Sequence, residues 1–275
     1  MKILNKQILS DYEGVRVIKV EITAPLVAKK AKPGQFVVLM VGEEGERLPL
    51  TIAEKDGTKG AITLIFQEAG LTTKLMGRLN TGDSLYSLVG PLGHPTEIKK
   101  YGRAVVVGGG VGIAEIYPVV KALKSAGNHV STILGARTKA ILILEKELRQ
   151  TSDELLIATD DGSYGRKGFV TDVLKDLIAK GRYDVVYAVG PIPMMKAVAK
   201  TTKDSGIQTM VSLNALMVDG TGMCGCCRVT IGSETKFSCI DGPEFDAQLV
   251  DWDELMKRNR IYEEKEKHIC KLKNL

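Results

Sequence analysis

The sequence predicts a β plus α/β protein with an N-terminal antiparallel β-barrel, a Rossmann-like parallel α/β domain and a small cysteine-bearing C-terminal domain. Short alternating segments broken by Gly and Pro predict the barrel. A continuous apolar run that leads into a glycine loop and a helix-period segment predicts the α/β domain. A cluster of three cysteines marks the third part. We expect domains at residues 1–98, 101–210 and 211–275, in agreement with a usual domain size of about 100 residues.

The composition is that of a folded protein and excludes several functions. The chain is 44% hydrophobic and 26% charged, which is ordinary for a globular protein. Its net charge of +5 comes from 38 Lys+Arg and 33 Asp+Glu spread along the chain, so we expect no nucleic-acid partner. No apolar run reaches the roughly 18 residues of a membrane helix, and no signal peptide is visible. We therefore expect a cytoplasmic protein with no membrane partner.

The first block is predicted to form an antiparallel sheet because its apolar residues alternate and turn residues separate the segments. The predicted strands are "VRVIKVEI", "KPGQFVVLMV", "PLTIAE", "AITLIFQE" and "DSLYSLVGPLG".

The second block starts with "AVVVGGGVGIAEIYPVVKALKSAG", which is typical of a βαβ unit. Further strands are predicted at "HVSTILGA" and "DVVYAVG", and helices at "VTDVLKDLIAK" and "IPMMKAVAKTTKDSG". The third block contains a hairpin pattern and a charged helical tail. Trp252 and its apolar neighbours in that tail either dock a partner or cover the C-terminal domain.

The glycine loop after the first α/β strand is a candidate phosphate site. Backbone amides at Gly109, Gly110 and Gly112 can face a diphosphate without side-chain obstruction. The pattern is GGGxG rather than GxGxxG, and no acidic residue clearly ends the next strand, so a plain strand-to-helix turn is the alternative. "ATDDGSYGRKG", with Asp160, and "VGPIPMM" should lie at the same edge of the sheet, although the first of these also suits a surface turn.

Hydrolytic chemistry finds little support in the sequence. Asp160 and Asp161 are adjacent carboxylates, but the three histidines, His94, His129 and His268, form no motif with them. A Ser-His-Asp type triad or an acid–base dyad is therefore not expected, and we assign no catalytic residue.

The C-terminal cysteines have the spacing of a metal site. Plant-type two-iron ferredoxins use C-x4-C-x2-C and a distant fourth cysteine, and the series Asp219, Cys224, Cys227, Cys239 matches that register with an aspartate first. A carboxylate is anionic like a thiolate and can ligate iron through oxygen. Cys226 is adjacent to Cys227 and is interpreted as a non-ligand. A zinc site on the same four residues is the alternative, since C-x2-C with a later cysteine also suits zinc.

Motifs in the first two blocks resemble the ferredoxin-NADP reductase superfamily. "RLPLT", "AGLTTKL" and "GDSLYSLVGPLG" are similar to its flavin-binding segments, and "VGPIPMM" is similar to its nicotinamide-side loop, with Val189 in place of the usual cysteine. Leu50 stands where the superfamily often has an aromatic residue. The resemblance implies two sets of cofactor-binding residues: for FAD, Arg47, Pro49, Leu50, Thr51, Phe66, Gln67, Thr72 and Thr73; for the nucleotide, Gly109, Gly110, Gly112, Asp160, Gly190, Pro191 and Met194.

A narrower resemblance covers essentially the whole chain. Through "LPLTIA", "ATDDGSYGRKGFVTDVL", "VGPIPMMKAV" and "MVDGTGMCGCCRV" the chain resembles the electron-transfer subunits of dihydroorotate dehydrogenase and, more closely, the small subunits of NADH-dependent reduced ferredoxin:NADP oxidoreductases. This implies FAD, a 2Fe-2S cluster and NAD(H), with the cluster on Asp219, Cys224, Cys227 and Cys239. It also implies a larger glutamate-synthase-like flavoprotein partner with further iron-sulfur clusters.

Three questions stay open in the sequence. The chain could serve dihydroorotate dehydrogenase or another flavoprotein, although that subunit normally has four cysteines where Asp219 replaces one. It could also be a non-catalytic redox or zinc sensor on a reductase fold. Arg137, Arg166 and Lys167 could bind a 2'-phosphate or be solvated charges, and only the resemblance favours NAD(H) over NADP(H).

Overall fold

The computed structural model describes residues 1–272, without the side chains of 266, 267 and 270–272. Residues 1–92 form a six-stranded antiparallel sheet with the strand order β1-β2-β5-β4-β3-β6. Its elements are β1 (Ile3–Tyr12), β2 (Val15–Thr23), α1 (Pro25–Lys30), β3 (Phe36–Met40), β4 (Leu48–Asp56), β5 (Ala61–Gln67), α2 (Leu71–Arg78) and β6 (Ser87–Leu92).

The two ends of this sheet approach each other, which gives the predicted barrel its curvature. The Ile3 amide donates to the Asp83 carbonyl at 2.9 Å, and Lys2 forms an isolated bridge with Ser84. Strand β1 was not predicted, because two register shifts, after Ile3 and after Ile8, break the alternation of its apolar residues. Inward side chains such as Ile18 and Phe66 are buried in the core of the barrel.

The second sheet lies beside the barrel and is parallel except at one edge. Its strand order is β10-β9-β8-β7-β11-β12-β15. The elements up to β12 are β7 (Arg103–Gly109), α3 (Gly112–Ser125), β8 (His129–Ala136), α4 (Glu145–Thr151), β9 (Glu154–Thr159), β10 (Arg166–Lys167), α5 (Val170–Lys180), β11 (Val185–Val189), α6 (Ile192–Thr202) and β12 (Gln208–Ser212). Strands β7 and β11 read as unbroken apolar runs because helices cover both faces of the sheet.

The strand order places a topological switch between β7 and β11. The chain builds β8 and β9 on one side of β7 and then returns to add β11 on the other side, so that Val189 pairs with Gly108. Ligands of open α/β sheets bind in the crevice at such a point, beyond the carboxyl ends of the strands. The glycine loop after β7 and the "GPIPMM" loop after β11 meet there.

The C-terminal residues add three strands and two helices: β13 (Arg228–Ile231), β14 (Glu234–Phe237), β15 (Glu244–Asp246), α7 (Trp252–Asn259) and α8 (Glu263–Leu272). β13 and β14 form a hairpin, whereas β15 joins the parallel sheet antiparallel to β12. The Trp252 indole donates to the Ala247 carbonyl at 3.1 Å and packs on the buried core, so Trp252 covers this chain's own C-terminal part. No helix in residues 1–272 is long and apolar enough to cross a membrane.

Candidate cofactor sites

The first site is a cavity of about 520 Å³ at the carboxyl ends of the parallel strands, called here the strand-end cavity. It gathers Gly109, Gly110, Asp160, Pro191 and Met194, five of the predicted nucleotide residues. Asp160 is exposed, and its amide donates to the Ala136 carbonyl at 3.1 Å. Loops that follow β7, β8, β9 and β11 thus converge as the parallel topology predicts. Phe169, 64% exposed, also lines this cavity and was not predicted.

Gly112 and Gly190, the other two predicted nucleotide residues, are not among the residues that line the cavity. A Cβ at Gly112 would lie 2.5 Å from the Val189 carbonyl oxygen, so this glycine lets helix α3 pack directly against the end of β11. A Cβ at Gly190 would lie 2.7 Å from the Met194 methyl. Both positions support the crevice by close backbone packing, and a direct contact with a nucleotide stays a prediction for both.

The second site is a cavity of about 320 Å³ between the barrel, helix α3 and the segment after β12, called here the interface cavity. Six of the predicted flavin residues line it: Pro49, Leu50, Thr51, Phe66, Gln67 and Thr73. Other walls come from Val111 and from Leu213 to Ala215, Met217 and Pro243. Gln67 lines the strand-end cavity as well, so the two cavities are neighbours across a single side chain.

Arg47 and Thr72 lie outside the interface cavity. Arg47 is exposed just before β4 and lines a third cavity together with Asp219 and Met223. Thr72 is buried in the first turn of α2 and donates to the Glu46 carboxylate. The Thr73 hydroxyl receives the Gly70 amide at 3.0 Å, which closes the start of α2. Contacts of Arg47 and Thr72 with a flavin stay predictions.

A carboxyl group that sequence reasoning missed faces the interface cavity. The Thr51 hydroxyl donates to the Glu115 carboxylate at 3.0 Å, and both residues line the cavity. Burial raises the pKa of Glu115, while the hydrogen bond from Thr51 lowers it. The only sequence signal for Glu115 is its place in the first turn of the helix that follows the glycine loop.

The third site is the cluster loop, residues 218–227. Asp219 accepts the amides of Thr221 at 2.8 Å and of Cys224 at 2.9 Å, and these hydrogen bonds hold the pKa of Asp219 below its usual value. The aspartate is therefore ionised at neutral pH, as a metal ligand must be. Gly222 and Gly225 have φ angles of +86° and +67°, which turn the loop back toward the hairpin.

The thiols of the last two cysteines in the proposed ligand series lie close together. Cys227 and Cys239 are buried with their Sγ atoms 3.2 Å apart, and all four cysteines from Cys224 to Cys239 are free thiols. Within the described residues, no three Cys, His, Asp or Glu side chains converge on a point that would hold one metal ion. A two-iron cluster distributes its ligands over two irons, and three thiols with one carboxylate form a suitable anionic donor set.

Cys226 differs from its neighbours in its surroundings. It is half-buried, and its carbonyl accepts from the Arg258 guanidinium at 3.0 Å, which ties the cluster loop to helix α7. Burial and the neighbouring Cys224 raise the pKa of Cys226. Its role as a non-ligand stays a prediction.

Comparisons with known proteins agree with this arrangement. A family model described as the iron-sulfur cluster binding domain of dihydroorotate dehydrogenase B matches residues 214–251, and one described as an oxidoreductase NAD-binding domain matches residues 106–200. A dihydroorotate dehydrogenase B (NAD(+)) electron transfer subunit homolog from Thermotoga maritima is 50% identical over 90% of this chain and 87% of its own. The electron transfer subunit from Geobacillus thermodenitrificans is 37% identical over 86% of this chain and 93% of its own.

A solved structure is similar over almost the whole chain. It comes from a study of flavin-based electron bifurcation by the NADH-dependent reduced ferredoxin-NADP oxidoreductase, has a TM-score of 0.90 and 47% identity, and covers 97% of this chain and 95% of its own. A cytochrome P450 reductase from Amycolatopsis, 23% identical with a TM-score of 0.63, covers 75% of this chain and 65% of its own and shows the shared fold alone.

The predicted fold and cofactors are thereby confirmed, with an iron-sulfur domain in place of the zinc alternative and an NAD-binding domain beside a barrel of the FAD-binding type. The chain belongs to the family of dihydroorotate dehydrogenase B electron-transfer subunits and their homologues, which includes redox subunits of electron-bifurcating oxidoreductases.

Proposed function

We propose that this subunit catalyses electron transfer between NAD(H) and a partner flavoprotein, with the nicotinamide nucleotide in the strand-end cavity, FAD in the interface cavity and a 2Fe-2S cluster on Asp219, Cys224, Cys227 and Cys239. The proposal rests on one observation, which is that the two cavities and the cluster loop lie next to one another. Gln67 lines both cavities, and Met217, in the wall of the interface cavity, is two residues before Asp219.

Bound FAD would supply the conversion between a hydride exchanged with NAD(H) and single electrons exchanged with the cluster. The chain's own residues organise the approach of the two cofactors. Glycines at 109 and 110 allow a nucleotide to approach the backbone at the start of α3, where amide groups and the helix dipole favour phosphate. Apolar side chains of Leu50, Leu213 and Met217 line the cavity in which FAD would lie.

Around the cluster, backbone geometry determines what the ligands can do. The two amides that Asp219 accepts hold its carboxylate in one orientation, and the buried Cys227 and Cys239 keep solvent from one side. Amide groups of the loop are also available to thiolate and sulfide, and such hydrogen bonds tune the potential of an iron-sulfur site.

We further propose that the partner is a larger glutamate-synthase-like flavoprotein with its own iron-sulfur clusters, and that it covers the cluster loop. Apolar side chains surround this loop at the surface: Met223 is 89% exposed, Val89 54% and Ile240 43%. Exposed apolar groups at one place are typical of an interaction surface. A partner seated there would lie within a short distance of the cluster.

Chemical analysis tests the cofactor assignment directly. The full chain, purified anaerobically, is expected to contain one FAD, two irons and two acid-labile sulfides, and to reduce a dye steadily with NADH. A colourless zinc protein would contradict the iron-sulfur site, and a flavin-free chain would contradict the interface cavity as its place. Leu50→Trp, which fills the interface cavity, should lose FAD and keep the cluster, whereas Met223→Glu should keep both cofactors and weaken retention of the partner.

A further inference from the structure

Glu115 is the only ionisable side chain among the residues that line the interface cavity. It lies in the first turn of α3, and Thr51, its hydrogen-bond partner at 3.0 Å, belongs to β4 of the barrel. The bond thus joins the two domains at the place where FAD is proposed to bind. A buried carboxyl group with no cationic side chain among the residues that line its cavity is costly to maintain, which points to a role for its charge or its proton.

Other charged groups around α3 do not act on this carboxyl. Lys121, two turns further along α3, pairs with Glu54 of β4 at 3.2 Å. The remaining titratable groups on the elements that pack against α3 lie on other parts of these elements: Lys55 and Asp56 on β4, Arg103 on β7, His129 on β8, Tyr187 on β11, and Glu145, Lys146, Glu147 and Arg149 on α4. Burial and Thr51 alone shift the pKa of Glu115, and burial dominates and raises it.

The protonation state of Glu115 determines which atom Thr51 can present to the cavity. When Glu115 is a carboxylate it can only accept, so it takes the Thr51 hydroxyl hydrogen and leaves oxygen lone pairs toward the cavity. When Glu115 is protonated it can donate to the Thr51 oxygen, and the hydroxyl hydrogen is then free to point into the cavity. A flavin ring nitrogen accepts a hydrogen bond when oxidised and carries a hydrogen when reduced, so each redox state matches a different arrangement.

We propose that Glu115 is a positioning residue that switches the Thr51 hydroxyl between hydrogen-bond donor and acceptor toward a bound flavin, and so links the redox state of the flavin to a proton on this chain. The inference rests on the proposed function, because it requires FAD in the interface cavity. Linkage is reciprocal: if the proton on Glu115 favours the oxidised flavin, the oxidised flavin favours the proton. Reduction then lowers the proton affinity of Glu115.

The test is the flavin midpoint potential of the FAD-loaded full chain, followed spectroscopically over a series of pH values that extends upward from the usual pKa of a glutamate, because burial raises the pKa of Glu115. Reduction of a flavin takes up protons itself, so the potential of every variant depends on pH. The wild type is expected to show, in addition, an inflection that comes from Glu115. Glu115→Gln keeps a hydrogen bond to Thr51 but cannot titrate, so the inflection should be lost. Thr51→Val should lose it too, because Glu115 acts through the hydroxyl, while Thr51→Ser should retain it.

An inflection that persists in Glu115→Gln or in Thr51→Val would overturn the inference. The visible spectrum of the bound flavin provides a second readout, since its dependence on pH should disappear in the same two variants. Leu50→Trp separates this failure from a failure of the proposed function. If Leu50→Trp binds FAD normally, the flavin lies elsewhere and both are overturned; if Leu50→Trp loses FAD while the inflection persists in Glu115→Gln, only the switch is overturned.

Discussion

The loop after β7 and the cluster loop are both rich in glycine, yet the two sets of glycines differ in backbone conformation. A Cβ at Gly109 or Gly112 would lie 2.3 Å from the Met194 sulfur or 2.5 Å from the Val189 oxygen. In the cluster loop, a Cβ at Gly220 or Gly222 would also lie close to a side chain, but Gly220, Gly222 and Gly225 all have a positive φ, whereas only Gly110 does in the loop after β7. The first loop is therefore shaped mainly by the sheet and helices around it, whereas the second depends in addition on its own backbone turns and on Asp219.

This difference predicts how each loop responds to a substitution. The backbone of the loop after β7 should move only when its scaffold is disturbed, and the disturbance should then reach the whole α/β domain. The conformation of the cluster loop depends on its own positive-φ glycines and on the amides that Asp219 accepts, so a change at Asp219 should alter the loop and leave the rest of the fold intact.

Gly112→Val should have the largest effect. A branched side chain would overlap the Val189 backbone, and overpacking of a rigid interior costs about 1–3 kcal/mol or more. We expect a marked fall in thermal stability together with the loss of NADH oxidation. Gly57→Val is the matched control, since a Cβ at Gly57 meets nothing within 4 Å. A Gly112→Val protein of wild-type stability would contradict the idea that packing requires this glycine.

The sequence allowed the surroundings of the loop after β7 to be predicted, whereas contacts between residues far apart in the chain were missed. Unbroken apolar strands such as β7 and β11 are local patterns, and the parallel topology then fixes which loops meet, so Gly109, Asp160 and Pro191 could be placed together in advance. Strand β15 was not predictable, because three residues in "PEFDA" become a strand only beside the edge of β12. Glu115 was missed for the same reason: its partner Thr51 is 64 residues away, and no local pattern joins them.

A second prediction concerns Glu244, which links β15 to the barrel side by accepting from the Thr96 hydroxyl. Burial raises the pKa of Glu244 to about 7. Between its usual pKa near 4.5 and that value the folded protein holds a proton that the unfolded chain has lost, so this group makes stability fall as pH rises through the interval. A shift of this size corresponds to about 3 kcal/mol.

Glu244→Gln should remove this pH-dependent loss of stability, because the glutamine amide is neutral at every pH and can still form a hydrogen bond with Thr96. Chemical denaturation at several pH values would show the variant gaining on the wild type from about pH 4.5 to 7 by up to about 3 kcal/mol. Glu44→Gln, at an exposed position, is the control. A constant difference between Glu244→Gln and wild type across this range would be incompatible with the raised pKa. If Glu244→Gln changed only the spectrum of the cluster, Glu244 would belong with the cluster loop and not with the packed scaffold.

The third prediction separates the two roles of Asp219. As a cap it accepts two amides, worth about 1.5–3 kcal/mol for hydrogen bonds to a charged group; as a proposed ligand it supplies charge to iron. Asp219→Cys should keep the cluster with a changed EPR signal and potential. It should also lower the stability of the loop, because the cap is lost.

Further variants separate the role of Asp219 as a cap from its proposed role as an iron ligand. Asp219→Asn keeps one acceptor oxygen for the cap but removes the charge, so it should preserve the loop better than Asp219→Ala and still yield a labile cluster. Cys226→Ala should leave the spectrum unaltered. The ligand assignment fails if the cluster disappears in Cys226→Ala while Asp219→Ala retains the wild-type EPR signal. Hydrogen exchange at Thr221 and Cys224 would report the cap independently of iron.

The smallest expected effect is at the wall of the strand-end cavity. Ala197 lines this cavity on α6, and Ala197→Phe would occupy part of its volume without touching the packed glycines. Because the scaffold stays intact, we expect unchanged thermal stability and a KM for NADH raised about tenfold, equivalent to roughly 1.4 kcal/mol. Ala179→Phe, on the exposed side of α5, should leave KM unchanged. Equal KM values in the two variants would remove α6 from the nucleotide site, whereas lost stability in Ala197→Phe would show that this wall, like Gly112, belongs to the packed interior.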